Sequence, residues 1–183
     1  MTTTLFTNAH IATGEPGSTA ASTLPLQDIL VTDGVFTAFG PGLAQQYEAQ
    51  SGDLAAIEVV DLGGKLVCPP FCDTHLHLDY VFTARKPGAV NESGTLFEGI
   101  QRWSETKSDL TVDEIKQRAK IGIKKEMLHG VQLIRSHADV TDPNLTSLKA
   151  LLELKEELKD TVTLQIVSFP QEGMYSYEGP HGE

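Results

Sequence analysis

The chain has 183 residues, 40% of them hydrophobic, with 14 basic and 25 acidic side chains and a formal charge of −11. That length fits one domain and can bury a real core, while the acidic balance argues against nucleic acid and anionic membrane surfaces, both of which need a basic face. No apolar run approaches the roughly 20 residues of a membrane span, and Met1-Thr2-Thr3-Thr4-Leu5-Phe6 does not start a signal peptide, so a cytoplasmic location is expected.

Leu5 to Ala12 predicts a first strand, followed by a Gly/Pro/Ser/Thr-rich loop from Thr13 to Ser22. Asp28 to Phe39 reads as a hairpin, because β-rich arms flank Asp33-Gly34, a pair that accepts the positive φ angles of a two-residue turn. Gly40-Pro41-Gly42 ends it. A short helix or loop runs to Asp53, and Ile57 to Leu62 is strand-like before Gly63-Gly64 turns the chain into Leu66. Short strands with tight turns suggest part of a small β-sandwich over residues 1–65.

Leu66-Val67 leads into Cys68-Pro69-Pro70-Phe71-Cys72-Asp73, and Thr74 to Leu78 then alternates polar and apolar. On a strand, residues two apart share a face, so His75 and His77 point one way and Leu76 and Leu78 the other. Two imidazoles on one side of a rigid strand can grip one transition metal; bare H-x-H spacing also fits two histidines in a loop. Cys68 and Cys72, the two cysteines, leave a disulfide or a Cys-based metal site open, but buried, inert thiols are the expectation for so few in a cytosolic chain.

A polar connection, Tyr80 to Glu92, follows. Thr95-Leu96-Phe97-Glu98 is a capping box opening a helix to about Glu105, and Thr111-Val112-Asp113-Glu114 is a second. Ile115, Ala119, Ile123 and Met127 then form one apolar stripe, with Gly130 as the stop. Val131 to Ala138 is the next strand. Asp142-Pro143 starts another helix, with Leu145, Leu148 and Leu152 on one face and Leu151, Leu154 and Leu158 adjoining. Thr161 to Phe169 is a third strand, left through Pro170-Gln171-Glu172-Gly173. The alternation means an α/β fold with a parallel sheet and about three βα units. In parallel α/β sheets, site residues cluster at the C-terminal ends of strands, where His75, His77 and Gln171 fall. His137, alternating with Arg135 and Asp139, either supports the site from the same side or is a satisfied structural histidine, which is the expectation. His10, His129 and His181 read as strand, helix-end and tail residues, and Lys155-Glu156-Glu157 as a solvated helix face.

Val67-x-Pro69-x-Phe71-x-Asp73-x-His75-x-His77 resembles the first barrel strand of the amidohydrolase superfamily, most members of which have Gly where this chain has Pro70. Pro69-Pro70-Phe71 with His75-Leu76-His77-Leu78-Asp79, then Ser93 to Ile100 with Arg102-Trp103, then Leu164 to Gly173, resemble its cytosine deaminase branch. The resemblance implies an incomplete chain, in which residues 66–183 are the first βα units of a (β/α)8 TIM barrel, beside the sandwich segment. It implies one divalent ion, Fe2+ or Zn2+, with His75 and His77 among its ligands. It also implies that the Gln171 amide meets the pyrimidine edge and that Leu96 lines the base pocket; a surface amide and an ordinary core leucine are the competing readings. In such enzymes of pyrimidine salvage the metal activates water for attack at C4 of cytosine, giving uracil and ammonia.

No catalytic residue is expected within the chain, since the family's later His, His-x-x-Glu and Asp positions lie past Glu183. Two imidazoles leave the metal short of three protein ligands, and a closed barrel needs about 250 residues. The chain alone is therefore not expected to turn over cytosine. The partner implied is a small heterocycle, and the intact protein is expected to be a homo-oligomer. The alternatives are an amidohydrolase acting on isoguanine, 5-methylcytosine, creatinine or an aminotriazine, or a non-catalytic remnant. In-frame continuation of the coding DNA into a His-x-x-Glu and a late Asp would end the remnant reading.

Overall fold

A computed structural model describes residues 2–12, 24–51 and 53–173. The chain divides into two compact units, residues 1–69 and 70–183. In the first, β1 (Thr3–Ile11), β2 (Leu26–Thr32), β3 (Val35–Gly40), β4 (Glu58–Asp61) and β5 (Leu66–Val67) form one sheet in the order β3-β2-β1-β4, with β5 also on β1. The β2–β3 hairpin turns at Asp33 (φ 49°) and Gly34 (φ 78°), the two positive angles the pair was expected to adopt. Helix α1 (Leu43–Ser51) lies against β1, β2 and β3. The buried Asp28 carboxylate joins these elements, accepting from the Asn8 N–H at 3.1 Å, where β1 is irregular, and from the Leu43 N–H at 2.9 Å, where α1 begins. The Thr13–Ser22 loop and the tail with His181 lie outside the described residues.

In the second unit β6 (Phe71–Leu76), β7 (Val131–Asp139) and β8 (Thr163–Phe169) form a parallel sheet in that order. Helices α2 (Leu96–Lys107) and α3 (Val112–Leu128) connect β6 to β7, and α4 (Thr146–Glu157) connects β7 to β8. The expected α/β alternation is present, as two complete strand-to-strand crossovers among the described residues, the first carrying two helices. Both threonines cap as expected, Thr95 Oγ1 accepting from Glu98 N–H at 3.3 Å and Thr111 Oγ1 from Glu114 N–H at 3.2 Å, but neither glutamate returns the bond of a full capping box: the Glu98 carboxylate accepts from Glu92 and Ser93 N–H, and Glu114 pairs with Lys86. Ile115, Ala119 and Ile123 are buried as one stripe and join Ile134, Leu151 and Leu154 in the core. No helix among the described residues is long and apolar enough to cross a membrane.

Two expectations are corrected. Helix α4 starts at Thr146, not at Asp142-Pro143, because Asp142 caps it from a distance: its carboxylate accepts from Asn144 and Thr146 N–H at 3.0 and 2.9 Å, with Leu145 between at φ 52°. Its buried face is Ser147, Ala150, Leu151 and Leu154, and Leu152 is half-exposed; small residues at 147 and 150 let one stripe approach the sheet closely. Cys68 and Cys72 are free and exposed rather than buried. Cys72 lies on β6, whose only strand neighbour among the described residues is β7. The Lys155–Glu157 run is the exposed helix face expected, and from it Glu157 pairs with Lys116 and, at 2.8 Å, with Lys120 of α3.

Candidate active site

The end of β6 is set by its alternation. Leu76 packs against the core and Leu78 is fully buried, which turns His75 and His77 to the opposite face. The Leu78 N–H donates to the buried Ser136 hydroxyl at 3.0 Å and pins this end to β7. His77 is the first residue past β6, with its ring centroid 5.2 Å from that of His75. Its Nδ1 lies 3.0 Å from the His137 carbonyl. A carbonyl can only accept, so that contact puts the proton on Nδ1 and leaves Nε2 with a free lone pair.

His77 is half-buried, stacked on Tyr80 at 4.6 Å and edge-on to Phe169 at 5.2 Å. Burial first, then the neighbouring His75, hold its pKa below the ordinary value, favouring the neutral ring that metals bind. His137 belongs to the same cluster, since its ring stacks on His75 at 4.0 Å. Burial and His75 also lower its pKa.

Behind the imidazoles lie two buried carboxylates, Asp79 and Asp139. Asp79 Oδ2 accepts the Asp139 N–H at 2.8 Å. Burial pushes the Asp79 carboxyl up to about 6, and burial with both carboxylates pushes the Tyr80 phenol up to about 12. Asp139 is saturated: Oδ2 accepts Trp103 Nε1–H at 2.6 Å and Lys107 Nζ at 3.3 Å, and Oδ1 accepts the Thr141 N–H at 2.8 Å and hydroxyl at 2.6 Å.

Beside this cluster is a cavity of about 400 Å³ lined by Tyr80, Asn91, Gly94, Thr95, Leu96, Gly99, Ile100, Trp103 and Gln171. Tyr80 stacks on His77 and lines the cavity, so one phenol ring stands between the cavity and that imidazole. Both residues expected at a substrate, Leu96 and Gln171, are on its wall. Leu96 is 74% exposed in this chain. Tyr80, Trp103, the His137 carbonyl and the buried carboxylates of Asp79 and Asp139 were not anticipated as parts of the site. His10 lies on β1 of the first unit, and His129 caps the end of α3.

Among the described residues no group of three or more His, Cys, Asp or Glu could hold a metal ion. The two imidazoles nevertheless fit part of such a set, because His77 offers an oriented, neutral nitrogen of the borderline kind that zinc and iron accept.

A parallel α/β sheet with paired imidazoles at a strand's C-terminal end and a cavity beside them is the layout of a hydrolase built on strand-end chemistry. Residues 58–183 match the model of the amidohydrolase family, more than half of the chain, and the chain belongs to that family, whose superfamily is metal-dependent. The chain is similar to the structure of 5-methylcytosine deaminase from Klebsiella pneumoniae liganded with 5-fluorocytosine, at 40% identity and a TM-score of 0.77, covering 94% of this chain and 38% of that one. It is 35% identical over 120 residues to N-isopropylammelide isopropyl amidohydrolase from Pseudomonas sp. (strain ADP), covering 63% of this chain and 30% of that protein. It is 28% identical over 153 residues to pterin deaminase from Rhizobium rhizogenes, covering 80% and 32%. The chain thus spans about a third of the length of these relatives, and the resemblance to the cytosine deaminase branch extends from sequence to structure.

Proposed function

We propose that the chain supplies part of a metal-dependent deaminase of the cytosine type, with residues 70–183 as the first βα units of a (β/α)8 barrel and residues 1–69, where Leu66–Val67 pairs with β1 rather than opening the barrel, as part of a β-sandwich. The reaction is hydrolytic deamination of cytosine or a closely related amino heterocycle. One observation carries this reading: the ring that stacks on His77, Tyr80, also lines the cavity that holds Gln171 and Leu96.

His75 and His77 would hold Fe2+ or Zn2+, which when bound supplies Lewis-acid activation of water. The His137 carbonyl fixes the His77 tautomer, so Nε2 is presented without a competing proton. The Gln171 amide offers one donor and one acceptor edge, matching a ring whose amino and ring-nitrogen groups lie side by side. Leu96, Ile100 and Trp103 give the base an apolar wall. No proton-transfer residue is assigned to this chain. The intact protein is proposed to be cytoplasmic and homo-oligomeric. Similarity to an N-isopropylammelide hydrolase favours a second substrate class, substituted triazines, on the same chemistry.

The test pairs metal binding with turnover. Calorimetry with Zn2+ on the purified chain should show binding that His75→Ala or His77→Ala removes. Ammonia release from cytosine, 5-methylcytosine, isoguanine, creatinine and an aminotriazine should occur only with the longest in-frame product containing the chain. Turnover by the 183-residue chain itself, or metal binding indifferent to both substitutions, would overturn the proposal.

A further inference from the structure

We propose that Lys107 is a positioning residue for the substrate cavity: it does not line the cavity but holds its two walls, α2 and the turn bearing Gln171, in register. The inference rests on the cavity beside His77 being the substrate site. Lys107 sits in the last turn of α2, where a basic side chain ordinarily reaches into solvent toward the helix's free carbonyls. Here it turns inward, with its side chain only 11% exposed. Its Nζ meets Thr141 Oγ1 at 2.6 Å, Glu172 Oε1 at 2.6 Å and Asp139 Oδ2 at 3.3 Å. An ammonium has three donors, and all three are used. The acceptors come from the end of β7, the segment just after it and the turn after β8.

The geometry connects these contacts to the cavity. Asp139 also accepts from Trp103, four residues before Lys107, so one carboxylate grips two successive turns of the helix that carries Leu96 and Ile100. On the other side, Glu172 is the neighbour of Gln171. Within the described residues the turn itself is closed by the Gly173 N–H to the Pro170 carbonyl and the Gln171 N–H to the Phe169 carbonyl, both at 3.0 Å. Lys107 is therefore its side-chain link to the helix. A compact ammonium with independently directed donors suits three separate acceptors, whereas the flat fork of an arginine does not. The desolvation of a partly buried ion pair offsets much of its attraction, so the main effect of this hub is on position.

The test uses Lys107→Met, Lys107→Arg, Glu172→Ala and Gln171→Ala. Two readouts are taken: exchange of the Gly173 amide hydrogen, and binding of 5-fluorocytosine followed by fluorine NMR. Lys107→Met should accelerate Gly173 exchange and weaken 5-fluorocytosine binding about tenfold, the order set by losing one well-placed polar contact. Lys107→Arg should fail to restore either. Lys107→Met combined with Gln171→Ala should bind no worse than Gln171→Ala alone, since both act through one amide. Metal binding by the His75–His77 pair should not change. Unchanged Gly173 exchange in Lys107→Met, or effects of Lys107→Met and Gln171→Ala on binding that multiply, would overturn the proposal. Should Lys107→Met fail to fold, Glu172→Ala, which leaves the Lys107–Asp139 pair intact, must show the same two effects. If the unaltered protein binds no 5-fluorocytosine, the substrate reading fails by itself, and Gly173 exchange still decides whether Lys107 holds the turn.

Discussion

Asp139 shows how much one side chain organises. It is 1% exposed, and donors from Trp103, Lys107 and Thr141 occupy both oxygens. Replacing it with alanine strands a buried indole N–H and an almost buried ammonium. Asp139→Ala should therefore cost about 3 kcal/mol or more of stability in urea unfolding. Glu156→Ala should stay within about 0.5 kcal/mol, because its pair with Lys159 is exposed. Nothing local to residue 139 announces this role. Its partners at 103, 107 and 141 meet it only when α2 folds back over the end of β7, so the sequence shows an acid on a strand and no more.

At the scale of elements, the helix starts were the most legible features. Thr95 and Glu98, like Thr111 and Glu114, stand at a spacing that satisfies orphan amides within one turn, and that logic is local. Thr111→Ala should lower stability by about 1 kcal/mol in thermal or urea melts. The first cap has a further reach, because the Glu98 carboxylate accepts from the Ser93 and Glu92 N–H groups at 2.6 and 3.1 Å. Hydrogen bonds from Ser93, then Glu92, hold its pKa down at about 2, from an ordinary 4.5. A lowered carboxyl pKa stabilises the ionised folded form. The anchorage should thus be complete above pH 4.5 and lost as pH falls through about 2. Amide exchange at Ser93 and Glu92, measured across that window, checks the sign. The start of α4 differs from the sequence expectation for a tertiary reason: Asp142 has the chemistry of an adjacent cap, yet it acts across Leu145, whose left-handed conformation only the packed structure reveals.

For the whole molecule, the parallel sheet decides the behaviour of the chain in isolation. Among the described residues β6 and β8 each pair with β7 alone, and the face with His75, Arg135 and Gln165 is exposed. Unpaired strand edges and an uncovered inner face favour association. The isolated chain should therefore grow in apparent mass with concentration in light scattering behind size exclusion; a sharp monomer with one cooperative melt would contradict this. By itself, the sequence determined the α/β alternation, the hairpin at Asp33-Gly34, the threonine N-caps of α2 and α3, and the common face of His75 and His77. Each of these follows from backbone geometry over a few residues. Only the tertiary structure decided that the His137 carbonyl meets His77, that Leu96 and Gln171 share a wall, and that Lys107 reaches Glu172. Those meetings depend on how β6 and β8 register against β7, with Leu76 opposite Ser136 and Asp139 opposite Phe169, and on α2 lying across the end of the sheet, which no neighbouring stretch of chain specifies.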